Sequence, residues 1–539
     1  YKNRRRIMLF TSYGFIIFLA AVIFLYYIIP KKTQWMFLLA ASYIFYAFSG
    51  LWNFAFVFAV TLSCYIIARV IEKMKNKEDL AVEQNRENWT KEERKQYRAA
   101  QKKRRLWVLV LGLLINLGIL AVIKYTAFAV TNVNSLLSLF GAKELNVPSL
   151  ILPMGISFFV FQSVGYIIDV YRGKTFAEKN IAKFALFVSF FPQMVQGPIS
   201  RHSDLAEQLY TPHKFDGKKV KFGLQRILWG FFKKLVIADR IMVAIKPLIA
   251  VDNGYDGAYV FLLIIFYSIQ IYADFTGGID ITIGIAEALG MRLAENFNRP
   301  FSSRTTKEYW NRWHMTMGSW FNDYIFIPLS VTKPLLKISK KAREKNSKLM
   351  KGLGKRIPVY TATTVTWFTT GLWHGAAWNF IVWGLLNCLV ILVSQELEPL
   401  YRRFRGRFPK LVASYPYHCF EATRTFLLMG LIRTLDCYRD VGTTFSKWGT
   451  MFTKFNWNEV FGGGILDLGL NITDFVIIAI AVITVAIFSK LGQRRNIREE
   501  LVDKTALSWI LAGVFLFVVI LFGAYSIGYD ASQFIYNQF

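Results

Sequence analysis

Apolar runs of roughly 20 residues, the length a helix needs to cross a bilayer, recur along this 539-residue chain. They leave few folds open. A soluble chain of this length divides into domains joined by polar linkers. Here 54% of the residues are hydrophobic, and the polar ones gather between the runs. Strands of a membrane barrel alternate polar and apolar residues. These runs do not alternate, so the spans are helical, because a helix satisfies its own backbone in lipid. The expected fold is all-α and polytopic, a single transmembrane domain over 1–539 with about eleven transmembrane helices plus re-entrant segments.

The formal net charge is +30. The basic residues cluster between apolar runs, as expected where Lys and Arg stay on the cytoplasmic side. No nucleic-acid-binding motif accompanies them, so the expected partners are membrane lipids and not nucleic acid. Residues 72–105, ending in Lys102-Lys103-Arg104-Arg105, read as a charged, helical cytoplasmic loop. Residues 337–356 read as a second inner loop, with nine Lys and Arg against Glu344 alone. Residues 124–147 and 440–470 fall on the outer side, as does the tail 528–539. Three spans before 72–105 put the N-terminus outside, whereas Lys2 and Arg4-Arg5-Arg6 argue for inside.

Within the spans, 223–245 carries Lys233-Lys234 as a basic girdle, and 259–285 carries Gln270, Asp274 and Asp280. Acidic groups at that depth cost about 2.5–3.5 kcal/mol each, so they face the interior and tie helices together. Residues 184–199 are short and broken by Pro192 and Pro198, as suits a re-entrant segment. The four cysteines form no CxxC, and no Cys/His spacing suits zinc, so no metal site is expected. Cys64 and Cys388 lie in apolar runs as small core residues.

Chemistry concentrates in 301–380. Trp310-Asn311-Arg312-Trp313-His314-Met315 leads to Trp320-Phe321-Asn322-Asp323-Tyr324, and the basic loop is followed by Gly371-Leu372-Trp373-His374-Gly375. Two of the five histidines sit here in aromatic surroundings. On one continuous helix Trp310, Trp313, His314, Met317, Trp320 and Phe321 share a face. Such a stripe serves core packing as readily as it lines a passage, and either imidazole can be a structural hydrogen-bonding ring. His202, His213 and His418 fall on loops and read as solvated.

Four motifs occur in a telling order: Leu152-Pro153-Met154-Gly155-Ile156-Ser157-Phe158, then Phe190-Phe191-Pro192-Gln193 with Gln196-Gly197-Pro198, then Trp310 through Tyr324, then Leu372-Trp373-His374-Gly375. On these the chain resembles the membrane-bound O-acyltransferase (MBOAT) family over nearly its whole length. It is most similar to the bacterial polysaccharide O-acetyltransferases, the branch of the alginate O-acetylation membrane protein. The resemblance implies tilted helices around a central tunnel. It also implies His374 as the family's near-universal histidine and His314 as the second site position, with Trp310, Trp313, Met317, Trp320 and Trp373 as tunnel-lining candidates.

Acyl transfer to an alcohol needs a base near neutral pH, and imidazole, with a pKa of about 6.5, suits it. His374 would be that base or carry the acyl group in transit. Gly375 beside it would let a thioester approach. His314 would polarise the thioester carbonyl or orient the donor. The implied donor is acetyl-CoA or an acyl-carrier thioester, with no bound cofactor. The implied setting is the bacterial cytoplasmic membrane, with an SGNH-type extracytoplasmic partner. The ending Phe534-Ile535-Tyr536-Asn537-Gln538-Phe539 resembles the tyrosine motif of acyl-relay peptides, which makes Tyr536 an acyl-relay candidate; an aromatic interfacial anchor is the alternative. D-alanyl transfer to teichoic acid is the second reading. A transporter or flippase is the reading from another class, but neither a duplicated half nor charged pairs along a path are evident.

Overall fold

The computed structural model describes residues 10–50, 52–150, 152–250, 254–345, 347–493, 497–500 and 505–525. Among these the chain is helical, and its only β pairing is an isolated antiparallel bridge, Phe297 with Trp313. Five described helices are long and apolar enough to cross a membrane: Asn53–Gln84, Lys91–Leu139, Ala258–Ala288, Trp378–Glu396 and Ile472–Leu491. Tyr13–Ile28 and Ala506–Phe522 are shorter apolar helices. The chain falls into two compact units, residues 1–224 with 282–294, and residues 225–281 with 295–539.

The first unit is built on a hairpin of its two longest helices. Asn53–Gln84 runs antiparallel to Lys91–Leu139, as shown by Ser63 Oγ donating to Asn116 Oδ1 (2.8 Å) and by the buried Arg105–Glu78 pair (3.0 Å). The turn between them is closed by a capping box, in which Thr90 Oγ1 accepts from Glu93 N–H while the Glu93 carboxylate accepts from Thr90 N–H. The charged stretch 72–105 is therefore two helix ends and a tight turn. The second helix continues for 49 residues to Leu139, without the break expected near Lys124. Beside the hairpin, Ile181–Ser189 stops at Phe190, and a short helix, Phe191–Val195, follows with Pro192 in its first turn. The freed backbone is met by side chains. Thr282 Oγ1 donates to the Pro192 and Gln196 carbonyls, and Gln193 Nε2 donates to the Pro198 carbonyl and to Ser200 Oγ. Irregular backbone inside a membrane protein persists only where such partners exist.

Of the histidines read as solvated loop residues, His213 does lie on a loop, half-buried, whereas His202 does not. His202 is buried against Tyr166 (4.7 Å) and Phe187 (4.9 Å), because the helix His202–Tyr210 turns its first residue inward. His213 Nε2 lies 2.8 Å from the Gln208 carbonyl oxygen. The third, His418, sits in the first turn of a helix in the second unit, Tyr415–Tyr438, and not on a loop.

In the second unit the expected girdle lysines are buried. Helix Gly217–Phe231 passes through a π-helical turn, Phe232–Ala238, into Asp239–Ile249. The wider turn sends both lysines toward the acidic helix Ala258–Ala288. Lys234 Nζ lies 2.6 Å from Asp274 and 2.8 Å from Asp239, and Lys233 pairs with Asp280, which also takes Arg226 Nε at 2.9 Å. Asp274 and Asp280 thus tie neighbouring helices, as their placement in an apolar run suggested. The basic segment 337–356 is a helical hairpin in which Lys333–Glu344 folds back on Lys348–His374, with Ser339 Oγ donating to the Gly354 carbonyl. Cys64 and Cys388 are buried as expected.

These charges predict an order of stabilities. Lys234→Met leaves two buried carboxylates without their shared cation, a cost of about 3–5 kcal/mol. Asp274→Asn leaves Lys234 still paired with Asp239. Thermal unfolding in detergent should therefore show a clearly larger loss for Lys234→Met than for Asp274→Asn.

Candidate functional site

The site grows from a short extended segment. Residues 296–298 run antiparallel to 312–315, with Asn298 N–H donating to the Arg312 carbonyl and Met315 N–H to the Asn296 carbonyl, each at 2.9 Å. This pairing splits the helix that the aromatic spacing suggests. Thr306–Arg312 ends, Trp313 is extended, His314 takes a left-handed conformation (φ 48°, ψ 52°), and Met315–Phe321 begins. The six-residue stripe is thus two short helices around a sharp corner, with His314 at the corner. A non-glycine residue at positive φ costs about 1–3 kcal/mol and persists where its surroundings over-determine it, commonly at functional sites.

His314 is fully buried. Its Nδ1 lies 3.1 Å from Asn296 Oδ1, an atom that also accepts Thr316 N–H (3.1 Å) and Thr316 Oγ1–H (2.9 Å). The Phe275 ring meets the imidazole edge-on at 4.9 Å. The preceding Trp313 is clamped. Tyr309 stacks on it (5.7 Å, 12°), the Arg433 guanidinium lies 4.0 Å from its centroid, and Arg433 Nη2 donates to the Tyr309 hydroxyl (2.8 Å). No sequence signal tied Arg433 or Asn296 to the site: Arg433 arrives from a distant part of the chain, and Asn296, 18 residues before His314, belongs to none of the motifs.

His374 is the last residue of helix Lys348–His374 and is half-buried. It packs edge-on against Trp383 (4.8 Å) and beside Trp373 (5.0 Å). Trp373 in turn reaches His314 at 6.2 Å and Phe321 at 6.3 Å. Both candidate histidines therefore pack on one indole, although sixty residues of chain separate them. Trp310 joins the same cluster, against Trp367 (4.8 Å) and Trp383 (5.6 Å). Met317 and Trp320 are buried, with the Trp320 ring against Phe321 and Tyr324. Tyr536 lies outside the described residues.

Two glycines fix where His374 sits. A Cβ on Gly371 would lie 2.4 Å from the Phe380 carbonyl oxygen, so this helix crosses Trp378–Glu396 at backbone contact. At Gly375 a Cβ would lie 2.1 Å from the Phe380 ring. The space beside Gly375 thus belongs to Phe380 and not to an approaching thioester.

Beside the left-handed corner lies a cavity of about 900 Å³, to which this segment contributes Met315. One wall is aromatic and aliphatic, with Trp229, Phe488, Phe515 and Leu511. The other is polar, with Arg226, Lys233, Asp280, Glu295 and Arg299. Arg226 grips both Glu295 oxygens, at 2.7 and 2.6 Å. Among the described residues no cluster of three His, Cys, Asp or Glu side chains could hold a metal ion. The arrangement offers imidazole acid–base chemistry beside a cavity that is apolar on one side and charged on the other.

Sequence comparison agrees with this chemistry. The family model described as MBOAT, membrane-bound O-acyltransferase family, matches residues 177–342, a span that includes His314 and ends before His374. The chain is 34% identical over 398 residues to the probable alginate O-acetylase AlgI of Azotobacter vinelandii, covering 72% of this chain and 69% of that protein. It is 31% identical over 342 residues to the peptidoglycan O-acetyltransferase of Helicobacter pylori, covering 58% and 59%. It is 27% identical over 258 residues to the teichoic acid D-alanyltransferase of Bacillus subtilis, covering 47% and 61%.

The Phe380 contact yields a prediction. Gly375→Ala should destabilise the protein by about 1–3 kcal/mol through overpacking. Gly375→Ala combined with Phe380→Leu should recover part of that loss in the thermal midpoint, because the ring that collides is gone.

Proposed function

Since the chain belongs to the membrane-bound O-acyltransferase family, we propose that it moves an acetyl group from a cytoplasmic thioester across the bacterial cytoplasmic membrane for O-acetylation of a cell-envelope polysaccharide. That it is a multi-pass membrane protein and an O-acyltransferase follows from the family and the apolar helices. The acetyl group and the polysaccharide are supported by two relatives whose names describe acetylation of alginate and of peptidoglycan. The observation that carries the reading is the convergence of His314 and His374 on Trp373. Two imidazoles on one aromatic wall can serve the two ends of an acyl transfer, which must remove a proton from a hydroxyl and release a thiol. His374 acts on the acceptor side or holds the acyl group in transit, and His314 faces the thioester.

The cavity beside Met315 is the donor's place in this scheme. Its aromatic residues suit the apolar arm of a CoA or carrier-borne thioester, and Arg299 suits a phosphate. In the same scheme 72–105 and 337–356 face the cytoplasm, 301–380 forms the catalytic core within a tunnel through the membrane, and 528–539 lies outside. Tyr536 then passes the acyl group to an SGNH-type extracytoplasmic partner. D-alanyl transfer is the second reading, favoured by the Bacillus subtilis relative.

The test supplies purified protein in vesicles with labelled acetyl-CoA or labelled D-alanyl carrier, the acceptor polysaccharide and the partner. Acetate should be transferred and D-alanine should not. His374→Ala should lower transfer by about 10²–10⁴-fold, the usual range for a lost acid–base group, while the protein remains folded. Full activity in that variant removes His374 from the chemistry. Tyr536→Phe should abolish polymer acetylation while leaving thioester turnover measurable.

A further inference from the structure

Asn296 decides what His314 can do. It is fully buried, and its hydrogen bonds to Met315, Thr316 and His314 all bear on the left-handed corner. Its backbone carbonyl accepts Met315 N–H at 2.9 Å, the bond that pins the residue after His314. Its side-chain oxygen accepts Thr316 N–H, Thr316 Oγ1–H and stands 3.1 Å from His314 Nδ1. A backbone N–H can only donate, so the Asn296 atom that faces Thr316 N is the carbonyl oxygen and not the amide nitrogen. The same oxygen faces His314 Nδ1, which must therefore carry the proton. In the neutral ring Nε2 then bears the lone pair. Asn296 Nδ2, meanwhile, is buried with no acceptor among the described residues. Leaving an amide donor unmatched costs about 1–3 kcal/mol. The chain bears this beside a strained φ, a combination expected where position matters more than stability.

We propose that Asn296 is a positioning residue that locks His314 in the Nδ1–H tautomer, so that His314 works as a proton acceptor at Nε2. This rests on the reading of His314 as part of the acyl-transfer site, and within that site it assigns the proton transfer to His314, where the sequence had suggested His374. A neutral ring with its lone pair on Nε2 cannot polarise a thioester carbonyl from that atom, because it has no proton there to donate. It can take the proton of the attacking hydroxyl as the oxygen bonds to the thioester carbonyl carbon. As the carbon–sulfur bond breaks, Nε2 returns that proton to the departing sulfur. The ester and a free thiol leave, and His314 is neutral again, still held through Nδ1. In this direct displacement His374, on the same indole, orients the hydroxyl.

Two measurements test this. In protein labelled with ¹⁵N-histidine, the resonances lost in His314→Gln identify His314, and in the wild type near neutral pH they should show a protonated Nδ1 and an unprotonated Nε2. In steady-state kinetics Asn296→Ala should lower kcat by about 10- to 100-fold, part of what a well-placed base contributes, with the KM for the thioester little changed. Asn296→Asp retains an oxygen toward both Thr316 N–H and Nδ1–H and should restore most of that kcat. A wild-type ring protonated at Nε2 overturns the proposal, and so does full kcat in Asn296→Ala, even where His314 proves essential. Full activity in His314→Ala instead removes the site reading beneath it. The tautomer measurement needs no Asn296 variant and stands if those variants fold poorly.

Discussion

A charge taken into the interior of a membrane protein has to bring its counter-charge with it, and much of the second unit follows from that requirement. Asp274 and Asp280 lie in one turn-and-a-half of the helix Ala258–Ala288. They are met by Lys233, Lys234 and Arg226 from the neighbouring rod. Adjacent side chains on a regular α-helix point about 100° apart, which limits how directly two consecutive lysines can face one neighbour. The π-turn Phe232–Ala238 relaxes that limit. Such bulges often accompany functional sites, and here the ion pairs they permit form the polar wall of the cavity beside Met315. The pairing that satisfies Asp280 thus also shapes the chamber next to Met315.

Around His314 the structure favours position over local comfort. The residue is strained, its neighbour Trp313 is gripped from two sides, and its ring nitrogen is held by an amide that leaves one donor buried and unmatched. The strain and the unmatched donor are unfavourable alone, and the grip on Trp313 is favourable. Together they leave the imidazole little freedom, which is what a group that must meet a reacting atom requires. His374 is fixed more simply, by a helix end and a backbone-to-backbone crossing.

Helix content and the membrane class could be read from the apolar runs, because both depend on composition and period alone. The paired aromatic and histidine motifs also marked residues that the fold brings together on Trp373. The misses share one cause, tertiary contact overriding a local pattern. The stripe from Trp310 to Phe321 has helical spacing, yet residues 296–298 pair with its middle and break it. Lys233-Lys234 reads as an interfacial girdle until the acids on the next helix are in view. The nearby Gly375 reads as open space until the Phe380 ring is found to fill it. Arg433 and Asn296 carried no signal at all, since an arginine late in a weak span and an asparagine after a glutamate are unremarkable until folding brings them to Trp313 and His314.

The antiparallel hairpin of the first unit reaches well past any bilayer. A helix of 49 residues is about 73 Å long at 1.5 Å per residue, against a hydrocarbon core of about 30 Å. More than half of Lys91–Leu139 therefore stands in water or headgroups, with Asn53–Gln84 beside it for part of that length. At the tip the start of the second arm is fixed by the capping box at Thr90 and the Trp89–Tyr97 ring contact (4.9 Å). Lower down they are bonded through Glu78–Arg105 and Ser63–Asn116. Such a mast can fray from its top without loosening its foot, so a cut in the turn at 85–90 would leave the two arms clasped in the membrane.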